Sequence, residues 1–195
     1  MKPTYLLAPL AAGLALAAAP VQAKHHEGGH AAHVAPYAPI TVAEVEAAQT
    51  AWCNALVAIS TEADTKGLAA AKTLAGQVID SAYGYAMGPV LFKPTLTVTP
   101  QTFRTTRDGA LSYFVGDDKT YPGDSGFALK NWRSCKSENA GILVTGNSAK
   151  SMGNVSMWDD KGNMTKVDKT WGYVRDGMGK LRIVLHHSSL PYMAK

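Results

Sequence analysis

The sequence predicts an α+β domain in which helices come first along the chain and long antiparallel strands come last. Apolar residues recur at helical spacing from about residue 41, whereas the chain from Phe127 to Ser189 has the alternating pattern of strands. Turn clusters such as Asp159-Asp160-Lys161-Gly162-Asn163 separate these strand-like segments. This order of elements is typical of α+β domains. A strongly curved sheet wrapped around the helices would leave a pocket between them.

Three helices are predicted before the strands. Thr41 and Glu44 have the spacing of a capping box, in which each side chain bonds the other's backbone N–H, so the first helix is expected to begin here. Asp64 or Thr65 is expected to cap the second helix. Thr99-Pro100 is expected to open a third helical segment, because proline is accepted in the first turn of a helix.

A short strand is predicted between the second and third helices, and four long strands are predicted after the third. Their apolar positions alternate with polar ones and they end at turn-forming residues. The predicted strands are Val90–Thr95, Phe127–Thr145, Ala149–Trp158, Met164–Arg175 and Lys180–Ser189.

The N-terminal part of the chain is predicted to lie outside the folded domain. Residues 1–23 have a basic start, an apolar run and the Val21-Gln22-Ala23 pattern of a signal-peptidase site. Residues 24–39 are rich in Gly, Ala, Pro and His, a composition that cannot build a core. We therefore divide the chain into a signal peptide (1–23), a flexible His-rich tail (24–39) and a folded domain (40–195). The expected location is periplasmic or secreted, with no membrane attachment after signal cleavage.

Charge and cysteine content exclude some functions and leave others open. The formal net charge of +4 is scattered along the chain, without the basic stripe interleaved with aromatics that nucleic-acid binding requires, so no nucleic-acid partner is expected. Cys53 and Cys135 are far apart and belong to no C-x-x-C motif. In an oxidising compartment they are either a disulfide or two buried thiols, and the sequence does not decide between the two.

The last predicted strand ends in two histidines and two serines. Because side chains on a strand alternate between faces, His186 and Ser188 share one face, and His187 and Ser189 share the other. Either pair would place a proton-transfer group beside a hydroxyl at the end of a hydrophobic strand. These are the only histidines outside the tail.

Four segments resemble the iota-class carbonic anhydrases, and the resemblance extends over about residues 41–192. The segments are Phe92-Lys93-Pro94-Thr95, Gly109-Ala110-Leu111-Ser112-Tyr113-Phe114-Val115-Gly116, Gly172-Tyr173-Val174 and His186-His187-Ser188-Ser189-Leu190-Pro191-Tyr192. The resemblance implies an NTF2-like or SnoaL-like cone, with N-terminal helices packed in a strongly curved antiparallel sheet. That fold is related to the association domain of calcium/calmodulin-dependent kinase II.

The resemblance also implies an activity, the reversible hydration of CO2 to bicarbonate, and a set of site residues. It implies Thr95, Tyr113, His186 and Ser188 as catalytic residues, with Thr95, Tyr113 and Ser188 also binding substrate. We place the histidine and serine at His186 and Ser188, and the alternative pair, one residue further along, stays open.

The residues argue against a tightly held catalytic metal. A zinc site needs about three converging protein ligands, but His186 and His187 point to opposite faces of a regular strand. The tail histidines could bind a transition metal loosely, and weakly bound zinc or manganese stays open because the family has been described both as metal-free and as metal-dependent. No metal cofactor is therefore expected.

A metal-free mechanism can be written with the same residues. Hydroxyl groups both donate and accept hydrogen bonds, so Thr95, Tyr113 and Ser188 can orient a water molecule and bind bicarbonate oxygens. His186 is expected to take the proton from that water. An aliphatic wall for the apolar CO2 molecule is expected from three nearby side chains, namely Val90, Leu91 and Val184.

Two alternatives to the enzyme remain. The first is a non-catalytic cone domain that binds a ligand or drives oligomerisation, because this fold serves many functions. The second makes the His-rich tail the functional part, as a segment that acquires metal. A homodimer is expected for either the enzyme or the binding domain, since the open face of the sheet would expose apolar surface.

Overall fold

The computed structural model describes residues 37–194, and the α+β class predicted from the sequence is confirmed. The elements in chain order are α1 (Val42–Lys66), α2 (Leu68–Ala82), β1 (Leu91–Lys93), α3 (Arg107–Val115), the short 3-10 helix Phe127–Leu129, β2 (Trp132–Thr145), β3 (Ser148–Asp159), β4 (Met164–Arg175) and β5 (Leu181–Ser189). The predicted signal peptide, and the predicted tail as far as residue 36, lie outside the described residues.

A five-stranded sheet forms the frame of the domain, with the strand order β1-β5-β4-β3-β2. Neighbouring strands are antiparallel except for the short edge strand β1, which runs parallel to β5. Register shifts interrupt β2 twice and the β4–β5 pair once, and such bulges bend a sheet. The order matters for function because it places β5 between β1 and β4.

Helix α1 begins where the capping box predicts. The Thr41 side chain accepts a hydrogen bond from the Glu44 backbone N–H, and the Glu44 carboxylate accepts one from the Thr41 N–H. The prediction that Asp64 or Thr65 caps the second helix is wrong, because both residues lie inside the last turns of α1. The break comes at Gly67, whose φ of 86° is a conformation that glycine adopts without steric cost.

The third helix starts later than the sequence suggests. The segment after Thr99-Pro100 is a loop, and α3 begins after Thr106, whose side chain accepts a hydrogen bond from the Gly109 N–H. A proline is compatible with a helix start on local grounds alone, while Thr106 offers a better cap seven residues after Thr99. The long segment predicted from Phe127 is also divided, with a 3-10 turn preceding β2.

The core lies between the helices and the inner face of the sheet. Its largest fully buried side chains include Trp171, Tyr173 and Phe92. A disulfide between Cys53 and Cys135 links α1 to β2, with the two Cα atoms 5.2 Å apart, which resolves the alternative left open by the sequence. Across residues 37–194, none of the helices combines the length and the apolar character that spanning a membrane requires.

Candidate active site

Strand β5 brings His186 and Ser188 to the inner face of the sheet. Both are buried, with 1% and 3% of their surface exposed, whereas His187 is exposed and Ser189 is only partly covered. The alternation of the strand therefore continues to its end, and of the two possible pairs the one formed by His186 and Ser188 faces the interior.

The loop after β1 places Thr95 against Ser188. Parallel pairing sets Lys93 opposite His187, so the chain that leaves β1 passes beside the end of β5. The Thr95 Oγ1 and Ser188 Oγ atoms are 2.5 Å apart, a short hydrogen bond between hydroxyl groups in which either atom can donate. This contact joins two residues that are distant in the sequence.

Tyr113, on α3, approaches the contact between Thr95 and Ser188. Its ring is buried, edge-on to Phe92 at 5.6 Å and stacked on Phe127 at 5.4 Å between ring centroids. Burial raises the pKa of the Tyr113 hydroxyl above its ordinary value of 10, and hydrogen bonding to Thr95 and the Leu96 backbone opposes this rise. Tyr113 is therefore a protonated hydrogen-bond donor at neutral pH. We call Thr95, Tyr113 and Ser188 the hydroxyl cluster.

His186 lies beside the hydroxyl cluster, but both of its ring nitrogens are bonded elsewhere. The ring stacks on Phe92 with centroids 4.3 Å apart. Its Nδ1 atom is 2.8 Å from the Tyr83 hydroxyl, and its Nε2 atom is 2.7 Å from the Lys169 amine. Burial lowers the pKa of His186 well below its ordinary value of 6.5, and the charges of Lys169 and His187 lower it further. The imidazole is therefore neutral at physiological pH.

The family of the chain follows from comparison with known proteins. Residues 43–190 match the family model described as metal-independent carbonic anhydrase. The chain belongs to this family. It is 63% identical over 153 residues to a metal-independent carbonic anhydrase of Nostoc sp., a match that covers 78% of this chain and 75% of the relative.

A solved structure agrees with this assignment. The chain is 62% identical to the iota-carbonic anhydrase from a cyanobacterium, whose crystal structure is a complex with bicarbonate, with a TM-score of 0.79 and coverage of 80% of this chain and 95% of that one. An NTF2-like superfamily protein from Salmonella enterica is 13% identical, with a TM-score of 0.41 and coverage of 78% and 92%. The resemblance to the iota class noted in the sequence is confirmed.

Membership of the metal-independent carbonic anhydrase family also confirms the expectation of no metal cofactor, since both the family and the relative from Nostoc carry that description. In the part of the chain from residue 37 to 194, no three His, Cys, Asp or Glu side chains converge as a metal site would require. The four tail histidines lie outside the described residues, so their loose binding of metal stays a prediction.

The expected aliphatic wall is only partly present in this carbonic anhydrase. Val90 is buried, but Leu91 is 61% exposed, so it cannot line an interior pocket. The next residue, Phe92, takes this place because it has the opposite orientation on β1 and lies directly opposite His186 in the sheet. Aromatic rather than aliphatic surface therefore covers the apolar side of the site.

Sequence reasoning missed three residues that hold His186, namely Trp52, Tyr83 and Lys169. The indole N–H of Trp52 donates to the Tyr83 hydroxyl at 3.0 Å, which extends the chain of hydrogen bonds from Lys169 and His186 into α1. The alternation of β4 could have revealed the lysine, because Lys169 occupies the same face as the buried Val167 and Trp171. No comparable signal in the sequence identifies Trp52 as the partner of Tyr83.

Proposed function

We propose that this member of the metal-independent carbonic anhydrase family hydrates CO2 at the hydroxyl cluster of Thr95, Tyr113 and Ser188. The family assignment supplies the reaction, which converts CO2 and water into bicarbonate and a proton. The observation that carries the location is the hydrogen bond of 2.5 Å between the Thr95 and Ser188 hydroxyls. It joins a hydroxyl group of β5 to one in the loop after β1, and hydrogen bonding between Tyr113 and Thr95 adds a hydroxyl group from α3.

The hydroxyl cluster has the hydrogen-bonding capacity that this reaction needs. The mutual bond of Thr95 and Ser188 uses one of their two hydrogens, so the pair keeps one donor and several acceptor lone pairs. Tyr113 supplies a second donor. Acceptors can hold and orient the attacking water, while donors stabilise the negative charge that develops on the CO2 oxygens.

His186 is proposed as a positioning residue, a change from the proton acceptor expected from the sequence. Tyr83 and Lys169 occupy its two ring nitrogens, and no bond from either nitrogen leads to the hydroxyl cluster. Its lowered pKa also makes the neutral ring a weak base. Its stacking on Phe92 fixes the inner face of β5 next to Ser188.

Stopped-flow measurement of CO2 hydration tests the location of the chemistry. The mature protein (residues 24–195) is first treated with chelator, and its metal content is measured on the same sample. We expect T95V, Y113F and S188A each to lower kcat/KM on the order of 100-fold, because each removes one hydroxyl from a site that relies on such groups.

A matched control is available one residue away. Ser189 neighbours Ser188 in sequence but lies on the other side of β5, so S189A should keep wild-type activity. If Y113F and S188A both retained full activity in the metal-depleted protein, the hydroxyl cluster would not be the site. Loss of wild-type activity on chelation, with recovery on adding zinc or manganese, would contradict the metal-free mechanism.

We also propose that the protein forms a homodimer through the outer face of the sheet. Leu143 on β2 and Met152 on β3 are each 63% exposed and are diagonal neighbours on that face. Apolar surface of this kind favours association. Light scattering after gel filtration should give the mass of two chains for the wild type and of one chain for the double variant L143K/M152K. A monomeric wild type at micromolar concentration would contradict the proposal.

Export of the protein to the periplasm or beyond is likewise a proposal, with residues 1–23 as a cleaved signal peptide and residues 24–39 as a tail. The sequence pattern of the first 23 residues supports it, and so does the disulfide, since such bonds persist in oxidising compartments. Cell fractionation and N-terminal sequencing should find the protein outside the cytoplasm, beginning at Lys24. A cytoplasmic protein that retains Met1 would refute it.

A further inference from the structure

Lys169 is a buried lysine directly beside the hydroxyl cluster. In the antiparallel pairing of β4 with β5 it lies opposite Ser188, and both side chains are on the inner face of the sheet. Side chains directly opposed in this way have Cβ atoms about 4.5–5.5 Å apart. Ser188 therefore has Thr95 on one side, across from β1, and Lys169 on the other.

The described surroundings of the Lys169 amine supply no negative charge, although the faces of two indole rings lie within cation–π distance of it. Its Nζ atom is 2.7 Å from His186 Nε2, 4.6 Å from the centre of the Trp52 ring and 5.4 Å from that of Trp171. The titratable group that faces it from β5 is His186, which is bonded in turn to Tyr83, and the indole that faces it from α1 belongs to the uncharged Trp52. The ion pairs within residues 37–194 include no carboxylate partner for Lys169.

The order of donors along the hydrogen-bonded chain indicates a neutral amine. Trp52 can only donate, so the Tyr83 oxygen accepts from it and the Tyr83 hydrogen is free to go to His186 Nδ1. The ring then carries its proton on Nε2, and that N–H must donate to the lone pair of Lys169. This tautomer gives a partner to the Tyr83 hydroxyl, to both ring nitrogens and to the Nζ lone pair, and in it the lysine is uncharged.

We propose that Lys169 accepts the proton that CO2 hydration releases and then serves as the counter-ion of the bicarbonate product. The inference rests on the proposed function, because it assumes that water is activated at the hydroxyl cluster. As the water oxygen forms its bond to the carbon of CO2, one O–H bond of the water breaks. The hydrogen bond from His186 Nε2–H to Nζ breaks as well, and the freed Nζ lone pair takes the water proton. Neutral water, CO2 and amine thereby become a bicarbonate anion and an ammonium, and the pocket as a whole keeps its net charge.

This charge balance matters because the pocket is buried and its other groups are neutral. Tyr113 and His186 are uncharged at neutral pH, and an unpaired bicarbonate would be costly in such an environment. Burial lowers the pKa of Lys169 from 10.5 to about 7, which makes it a base matched to neutral pH. The ammonium can only donate, so its bond to His186 reverses. Nε2 gives up its proton to solvent and Nδ1 takes one from solvent, so the ring stays neutral and the Nδ1–H donates to the Tyr83 oxygen.

The pH dependence of CO2 hydration tests this role. We expect kcat/KM of the wild type to rise with pH between 6 and 9, with a midpoint near 7 where Lys169 loses its proton. The variant K169M, of similar length but without a basic nitrogen, should be slower on the order of 100-fold and should lose that midpoint. Lys166, exposed on the same strand, provides the control K166M, which should keep both the rate and the profile.

A second measurement needs no activity. Nitrogen-15 NMR of the labelled imidazole of His186 should show the ring proton on Nε2 above about pH 7 and on Nδ1 below it. Added bicarbonate should move this transition to higher pH, because the anion stabilises the ammonium of Lys169. K169M should show no such transition in either condition.

The outcomes separate this inference from the proposed function. A K169M enzyme that keeps the wild-type pH profile, or a His186 ring unchanged between pH 6 and 8.5, overturns the role of Lys169 while the hydroxyl cluster stands. If T95V and S188A are fully active but K169M is slow, the hydroxyl cluster fails, and the transfer of a proton from water bound there to Lys169 fails with it. An inactive wild type overturns both.

Discussion

Replacing Lys169 with methionine should change how the stability of the fold depends on pH, whatever the catalytic role of the residue. The unfolded chain binds a proton at this lysine up to about pH 10.5, whereas burial in the folded protein lets the proton leave at about pH 7. Unfolding between these two pH values therefore takes up a proton. The folded state must become more stable as the pH rises through this window, and K169M must lack this contribution.

The size of the effect follows from the two pKa values. Each pH unit in which the folded protein is deprotonated and the unfolded chain protonated adds about 1.4 kcal/mol to the free energy of unfolding. Because the folded protein is half-protonated near pH 7, we expect a rise of about 2 kcal/mol from pH 7 to pH 9. Ending at pH 9 avoids the titration of the unfolded chain's tyrosines, whose ordinary pKa is 10.

Urea unfolding followed by circular dichroism at pH 7, 8 and 9 measures this contribution. The quantity of interest is the wild-type free energy of unfolding minus that of K169M at each pH, since other titrating groups cancel in the difference. K166M, with an exposed lysine removed from the same strand, should keep the wild-type dependence. A difference between wild type and K169M that stays constant from pH 7 to 9 would mean that Lys169 is not held neutral by burial.

Three further variants test other parts of the fold. The double variant C53S/C135S should lose about 4 kcal/mol of unfolding free energy, because the disulfide closes a sequence separation of 82 residues; a loss under 1 kcal/mol in urea would contradict this. T41A should cost about 1 kcal/mol by removing the cap of α1, and unchanged thermal unfolding would refute it. Wild-type stability should fall as the pH drops below 6.5, because the unfolded chain binds a proton at His186 that the folded chain does not; H186Q should reduce this acid sensitivity between pH 6.5 and 5, as measured in urea.

The parts of the fold that depend on local patterns were predictable from the sequence. Strand β4 has the predicted bounds, Met164 and Arg175, because clusters of turn residues at both ends define it. The capping box at Thr41 is equally local. The start of α3 was not predictable from Thr99-Pro100, since a proline is compatible with a helix start without requiring one. The parallel pairing of β1 with β5 is a tertiary contact that no local pattern specifies.

For the residues of the hydroxyl cluster, too, local patterns predict part of the arrangement and tertiary contacts determine the rest. Alternation separates His186 and Ser188 from their neighbours but cannot say which pair faces inward, and the sheet order decides this by placing β5 between β1 and β4. The meeting of Thr95 with Ser188 depends on that order too. The alternation of β4 indicates that Lys169 faces inward, but its bond to His186, like that of the distant Tyr83, is a tertiary contact that the sequence does not specify.

The position of Lys169 connects the stability of this protein with its chemistry. Burial without a carboxylate partner costs folding free energy at every pH below about 10.5, where the unfolded chain holds a proton at this lysine. The same burial brings the pKa of the amine to about 7 and makes it a useful base. An aspartate or glutamate beside Lys169 would remove the folding cost and raise the pKa of the amine, leaving it protonated and unable to accept a proton. Without a metal ion, a buried pocket that must take up a proton needs a base whose pKa is near neutral, and this arrangement supplies one. K169M should therefore be far less active than the wild type at pH 7, without a comparable loss of stability there.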